Sequence, residues 1–558
     1  MSSRRHTAKS PAKSPAPRPL VPPARVFVTL ASLAAATALV RMGLLESVVG
    51  GIVDAAVRNI ITLILAFSGL MAVLSWFLFQ SGHAPGLKRA VAVGLLAAIG
   101  LACAALRIER VSGDLIPELA FRWRPSRDRL LPSVPSAAAE PVAGAAWTES
   151  PGDFSRFLGP QGSASLEGPI LDPAWASRPP ERLWRRPIGG GWSGFATCGD
   201  HAATLEQRGD DEVVSCQSIA TGEVEWTVGV RGRHETVLGG VGPRSTPTIA
   251  GGVVYATGAT GWLHAIDGVT GRVQWKNHVL DDLGIDPAAH GVAVTWGRSG
   301  SPLVTDAVVI VPGGGPLQDG SAVSLVAYDR VTGERRWTGG SEQISYVSPQ
   351  LATIGGRELV LTVNESSVAG HDPGTGAELW RFEWPGHSNS DATCSQPHVL
   401  DGDRIFLSKG YGVGAAMFRR AAPAAEESTG GFVKEWSQPA ALKTKFTNVA
   451  ILDGHAYGLS DGILECVSLA DGRSLWKRGR YGQGQVLRVG GLVLVQAESG
   501  EVAVVRCTPE RHEELGRFAA IEGQTWNTLC LVGDRLLVRN AEEAAGYRLP
   551  LAARGPAP

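Results

Sequence analysis

The sequence predicts an all-β protein: an eight-bladed β-propeller closed by an N-terminal outer strand and preceded by about three transmembrane helices. Three observations carry this. A Gly followed four residues later by a Trp recurs at "ATGEVEW" (Trp226), "DGVTGRVQW" (Trp275), "DRVTGERRW" (Trp337), "DPGTGAELW" (Trp380) and "LADGRSLW" (Trp476). Eight turn pairs each separate two apolar runs, and three long apolar stretches occupy the first 106 residues.

Residues 1–25 hold Arg4, Arg5, Lys9, Lys13, Arg18 and Arg25 with no acid, among Pro and Ser, the composition of a disordered tail. In the membrane anchor, residues 26–106, the apolar runs are Val26 to Leu45, Ile60 to Phe79 and Ala90 to Leu106, each about long enough to cross a hydrocarbon layer. Basic residues mark the cytoplasmic side. The tail, with Lys88 and Arg89 between the second and third spans, therefore puts the N-terminus inside a bacterial inner membrane and everything after Leu106 in the periplasm or outside. Residues 107–180 read as a charged juxtamembrane segment and a Pro/Ala linker, "LPSVPSAAAEPVAGAA".

From 181 to 552 the pattern is short alternating strands punctuated by turns, with 553–558 as a tail. The turn pairs are Gly199-Asp200, Gly251-Gly252, Thr305-Asp306, Gly355-Gly356, Asp401-Gly402, Asp453-Gly454, Gly490-Gly491 and Gly533-Asp534. Weaker copies at Trp184, Trp436 and Phe518 bring the aromatic series to eight as well. The two series interleave, but Trp184 precedes the first turn and nothing follows the last. A ring explains that offset, with the strand around Trp184 completing the final sheet. About 370 residues over eight sheets gives roughly 46 per blade, a propeller period. In this reading Thr-Gly or Asp-Gly turns the chain into the outermost strand and the Trp fills the seam between blades.

"AYDRVTGERRW", "AIDGVTGRVQW" and "GHDPGTGAELW" resemble the repeat of the pyrroloquinoline-quinone (PQQ) type propellers, the family of quinoprotein dehydrogenases and of the assembly lipoprotein BamB. The resemblance covers about Arg182 to Leu551, and "DFSRFLGPQG" is similar to the lead-in of membrane-anchored members. It implies the fold and leaves two functions, a binding scaffold or an enzyme using PQQ with calcium to oxidise a sugar or alcohol.

No catalytic constellation stands out. The adjacent cysteine pair of many alcohol-oxidising relatives is absent, the segments entering the innermost strands carry no carboxylate, and the seven Cys and twelve His show no metal-ligand spacing. No cofactor and no metal are expected. A net charge of -1 without a basic stripe beyond the tail gives no case for nucleic acid. The expected function is a membrane-tethered, non-catalytic binding or scaffolding module, with the dehydrogenase as the alternative. Its candidate binding residues lie on the funnel face, where second-to-third strand loops meet the segments entering each blade: Arg208, Arg244, Trp296, Arg298, Tyr411, Lys443, Lys445, Trp526 and Asn527. Cations beside flat rings point to a protein or an anionic ligand as partner.

Overall fold

The computed structural model describes residues 18–42, 54–132, 147–421 and 431–552. Most of the basic tail, the tip of the first interhelical loop, and 133–146 of the Pro/Ala linker lie outside the described residues. The chain divides into two units.

The first unit holds three helices long and apolar enough to cross a membrane: α1 (Ala24–Arg41), α2 (Ala55–Ser75, continued by a π-helical turn, Trp76–Gln80) and α3 (Pro85–Ala105). The long apolar side chains of these helices mostly face outward, as a lipid-facing surface requires. Arg25 at the start of α1 donates to Gln80 Oε1 at the end of α2, so the two run antiparallel, and Gly69 lets α2 approach Leu30 and Leu33.

In the second unit, eight sheets, each built on four antiparallel strands, follow one another in sequence order, and the seventh gains a short fifth strand in parallel. Blade 1 is Ala196–Cys198, His201–Arg208, Asp211–Ser218 and Val224–Arg231, and every later blade repeats that meander. Each of the eight turn pairs read from the sequence joins a first to a second strand. The eighth blade is Cys530–Val532, Arg535–Arg539 and Glu543–Arg548, and its outermost strand is Glu181–Pro187 from the N-terminal end of the propeller, with Gly546 opposite Trp184.

The repeated phrase has a direct physical cause. The Trp Nε1 of one blade donates to a carbonyl in the outer turn of the next: Trp184 to Ile219, Trp226 to Gly268, Trp275 to Arg330, Trp436 to Leu469 and Trp476 to Thr508, at 2.7 to 3.1 Å. The indole then lies over the glycine of that turn. A Cβ added at Gly222, Gly271, Gly333, Gly376 or Gly472 would sit 2.4 to 2.8 Å from the preceding blade's ring. The Gly of one copy thus exists for the Trp of the copy before it, and together they seal a seam.

Three copies depart from the pattern, the first only in part: the Trp337 ring lies over Gly376, but its buried Nε1 has no hydrogen-bond partner among the described residues. Trp380 packs against Phe432, at 4.6 Å between ring centroids, and against Gly370 of its own sheet. In blade 7 the register puts Gly516, not Phe518, at the tryptophan position, opposite Val504. Phe518 falls two residues later, against Tyr547. The room left at Gly516 is taken by Trp175 from the lead-in, whose Cβ lies 3.0 Å from where a side chain at 516 would begin.

The lead-in packs into the propeller well before residue 181. The innermost strand of every blade has one edge facing the axis, and a bare edge leaves backbone groups unpaired. "DFSRFLGPQGSASL", residues 153–166, crosses the end of the axis away from the funnel face and satisfies several of them. Ser155 O accepts from Ile249 N, Phe154 O accepts from Thr197 N while Phe154 N donates to Thr197 Oγ1, Ser165–Leu166 pairs in parallel with Arg488 and Val489, and the Gln350 side-chain amide donates to Gly162 O. Phe154, Leu158 and Ala164 are buried there.

Candidate functional site

The funnel face is built by the segments entering each innermost strand and by the loops between second and third strands. The polar residues of the entering segments form a closed ring of blade-to-blade hydrogen bonds. Gly194 N donates to Thr246 Oγ1 (3.0 Å), Thr246 N to Ser301 Oγ (2.9 Å) and Ser301 N to Ser348 Oγ (2.9 Å). With its amide turned to satisfy both ends, Gln396 Oε1 accepts from Ser348 N at 2.9 Å, and Gln396 N donates to Asn448 Oδ1 (3.0 Å). Asn448 Nδ2 continues to Gln485 Oε1 (3.3 Å), Gln485 Nε2 to the Trp526 carbonyl (3.1 Å), and Asn527 Nδ2 to the Ser193 carbonyl (2.8 Å), which returns to blade 1. The polar signature of these segments therefore serves the fold, since an unpaired buried N–H at each strand start would be costly.

Four of the predicted cations, Arg208, Arg244, Arg298 and Lys445, turn their heads toward partners in the protein. Arg298, 2% exposed, donates to the carbonyls of Pro312 and Gly313, and burial lowers its pKa to about 10. Arg244 donates to the carbonyls of Gly239 and Gly242. Arg208 pairs with Glu206 at 2.7 Å, and Lys445 lies 2.8 Å from Asp54 and 3.8 Å from Asp461. Lys443 is buried on the same blade as Lys445. The structure brings Arg244 and Trp296 together across Gly239. Trp526 packs at a tilt against Trp192 and Phe446, at 4.7 and 4.5 Å between centroids, and its Nε1 donates to Glu498 Oε1. Tyr411, with φ +59°, stands at a loop tip and is 42% exposed.

One feature of this face has no sequence signal. The strands Leu106–Val111 and Pro117–Phe121 make a hairpin whose tip, Ile108–Leu119, belongs to the propeller unit. Gly113 N donates to Glu498 Oε1 (2.6 Å), Gln524 Nε2 donates to the Val111 carbonyl (2.8 Å), Arg110 pairs with Glu542 (3.0 Å), and Asp114 lies 3.8 Å from Arg480. Gly113 must be glycine, because a Cβ there would fall 2.2 Å from Gln483 Cγ. The short turn Arg127–Leu130 continues the contact, Asp128 pairing with Arg233 and Arg129 with Asp210. Blades 6, 7, 8 and 1 are thus overlaid by the chain itself.

The sector over blades 2 to 5 has a different character. Around Trp296 it exposes Val237, Leu238 and Val292, with Tyr411 on blade 5. Val237 and Leu238 lead into Gly239, whose added Cβ would lie 3.2 Å from the Trp296 ring, and Val292 lies four residues before Trp296 on the helix Pro287–Ala293.

Fold and face together define the class: an eight-bladed β-propeller carrying N-terminal helices fit to span a membrane. Residues 180–295 and 210–478 match the family model described as outer membrane protein assembly factor BamB, and the chain belongs to that family. No curated protein matches the chain. Among solved structures, BamB from Moraxella catarrhalis is 15% identical, covering 66% of this chain and 100% of that one, with a TM-score of 0.47. Quinohemoprotein alcohol dehydrogenase from Comamonas testosteroni is 13% identical over 73% of this chain and 82% of that one, TM-score 0.51. The computationally designed protein Ika8 is 12% identical over 66% of this chain and 100% of its own, TM-score 0.44. At such identities the likeness concerns the fold alone.

Proposed function

We propose that the chain is an inner-membrane-anchored, periplasm-facing propeller that binds a protein partner and carries out no reaction of its own. The division of the funnel face is the observation that carries this reading. One half is overlaid by the Ile108–Leu119 hairpin tip, and the other exposes Val237, Leu238 and Val292 near Trp296 and, on blade 5, Tyr411. Exposed apolar and aromatic groups clustered on an ordered surface are the usual mark of a protein interface. The assembly-factor role in the family's name fits such a surface. Arg208, Arg244, Arg298 and Lys445 already satisfy carbonyls and carboxylates of this chain, which favours a protein partner over an anionic ligand.

A calcium-bound quinone fits these residues poorly. Calcium asks for six to eight oxygen ligands, carboxylates among them. Glu206 accepts from Gly189 N and Arg208, Glu212 from the Ala259 and Thr260 amides, and Glu465 from Leu442 N. Trp192 and Phe446 each pack against Trp526 at a tilt, 40° and 49° between ring planes, rather than as the parallel faces a planar cofactor would need.

A photoreactive amino acid placed at Leu238, Val292 or Tyr411 in intact cells is expected to yield one discrete crosslinked species, and none from Asp534 in a turn at the opposite end. Equal products from both faces, or none from the funnel face, would overturn the reading. The orientation is tested separately: alkaline phosphatase fused at the C-terminus is expected to be active, and an inactive fusion that is stably produced would reverse the topology.

A further inference from the structure

We propose that His201, Cys216 and Glu225 form a binding site for a thiophilic divalent cation of the zinc class, on blade 1 away from the funnel face. The three residues come from three adjacent strands, and one ligand atom from each lies within 4.8 Å of the others. His201 Nδ1 is 2.7 Å from Glu225 Oε2, which in turn is 3.5 Å from Cys216 Sγ. Bonds of about 2.0 Å to nitrogen and oxygen and about 2.3 Å to sulfur put tetrahedral ligand atoms roughly 3.3 to 3.8 Å apart, so the carboxylate already stands at the right distance from the thiol and side-chain adjustments of about 1 Å would bring the imidazole into place. A nitrogen, an oxygen and a sulfur donor together suit zinc better than calcium or magnesium.

Local geometry aims all three at one point. Glu225 occupies the bulge that interrupts pairing between Cys216 and Gln217, which turns its side chain back over the sheet. The indole of Trp147 stacks on the His201 ring at 4.8 Å and 10°, covering the site from the lead-in side. Burial raises the Cys216 thiol pKa well above the ordinary value, so the cation would have to displace the thiol proton to solvent, as zinc does at thiolate sites.

The propeller supplies its own comparison. The same register positions hold Val253, Ala265 and Gln274 in blade 2 and Val308, Ala327 and Arg336 in blade 3. Blade 6 repeats His455 and Cys466 but has Leu475 in the bulge. These comparison blades fill the positions mainly with apolar groups, and blade 1 alone among them carries three donors.

They also supply control variants that the fold already tolerates. The purified full-length chain in detergent, stripped with chelator, is titrated with Co²⁺ and then with Zn²⁺. One equivalent of Co²⁺ is expected to produce a sulfur-to-cobalt charge-transfer band and to quench Trp147, with Zn²⁺ displacing it. Cys216→Ala should abolish the band, and His201→Val or Glu225→Gln should weaken binding by about tenfold or more. Absence of the band in the wild-type protein, or its survival in Cys216→Ala, would overturn the proposal. Far-ultraviolet dichroism of each variant reports that the propeller is intact.

Discussion

Replacing Trp184 with alanine is expected to destabilise the propeller by about 3–5 kcal/mol, the range for removing a buried aromatic side chain. The ring is 7% exposed, its Nε1 donates to Ile219, and it lies against both Gly222 and Gly546. Its loss opens the seam between blades 8 and 1, the one seam where the two ends of the propeller meet. Removing the whole strand Glu181–Pro187 should go further, because six register pairs with Glu543–Arg548 are lost and a bare edge is left. Denaturant melts of wild type, Trp184→Ala and the strand deletion measure this directly. Equal midpoints for all three would rule out closure by this segment.

Gly376→Ala should cost about 1–3 kcal/mol more than Gly454→Ala, although the two glycines share a φ of +74°. That angle alone costs an L-residue about 1–2 kcal/mol. At Gly454 nothing lies within 4 Å of an added Cβ, so this cost stands by itself. At Gly376 the Cβ would land 2.4 Å from Trp337 Cε3, in the middle of a rigid ring, adding an overpacking cost of about 1–3 kcal/mol. Chemical denaturation of the pair separates the conformational cost from the seam. A matching loss at both positions would mean that the indole moves aside freely.

The fold was legible because its signals are local and repeated. A Gly and a Trp four apart, copied from blade to blade, reveal a seam even though the two residues that touch lie in neighbouring copies, as Gly222 and Trp184 do. The same logic failed at blade 7, where a search for an aromatic near the right spacing reached Phe518 and missed that Trp175 fills the seam over Gly516. The site was less legible. Ser301, Ser348 and Asn527 look alike on paper whether they face a ligand or bond the next blade, and only geometry separates the two roles. Contacts such as Gly113 with Glu498 join residues 385 positions apart with no repeat to announce them. His201, Cys216 and Glu225 escaped a search for metal spacing because strand pairing, not sequence proximity, assembles them.

The claim that the funnel face recognises a partner and does no chemistry is tested most directly by offering the purified full-length protein PQQ and calcium together. Trp192 and Trp526 provide the fluorescence readout, and dye-linked oxidation of alcohols and sugars provides the activity readout. No saturable quenching and no oxidation above the protein-free control are expected. Saturable, calcium-dependent binding of PQQ accompanied by substrate oxidation would contradict the claim and make the chain a quinoprotein dehydrogenase.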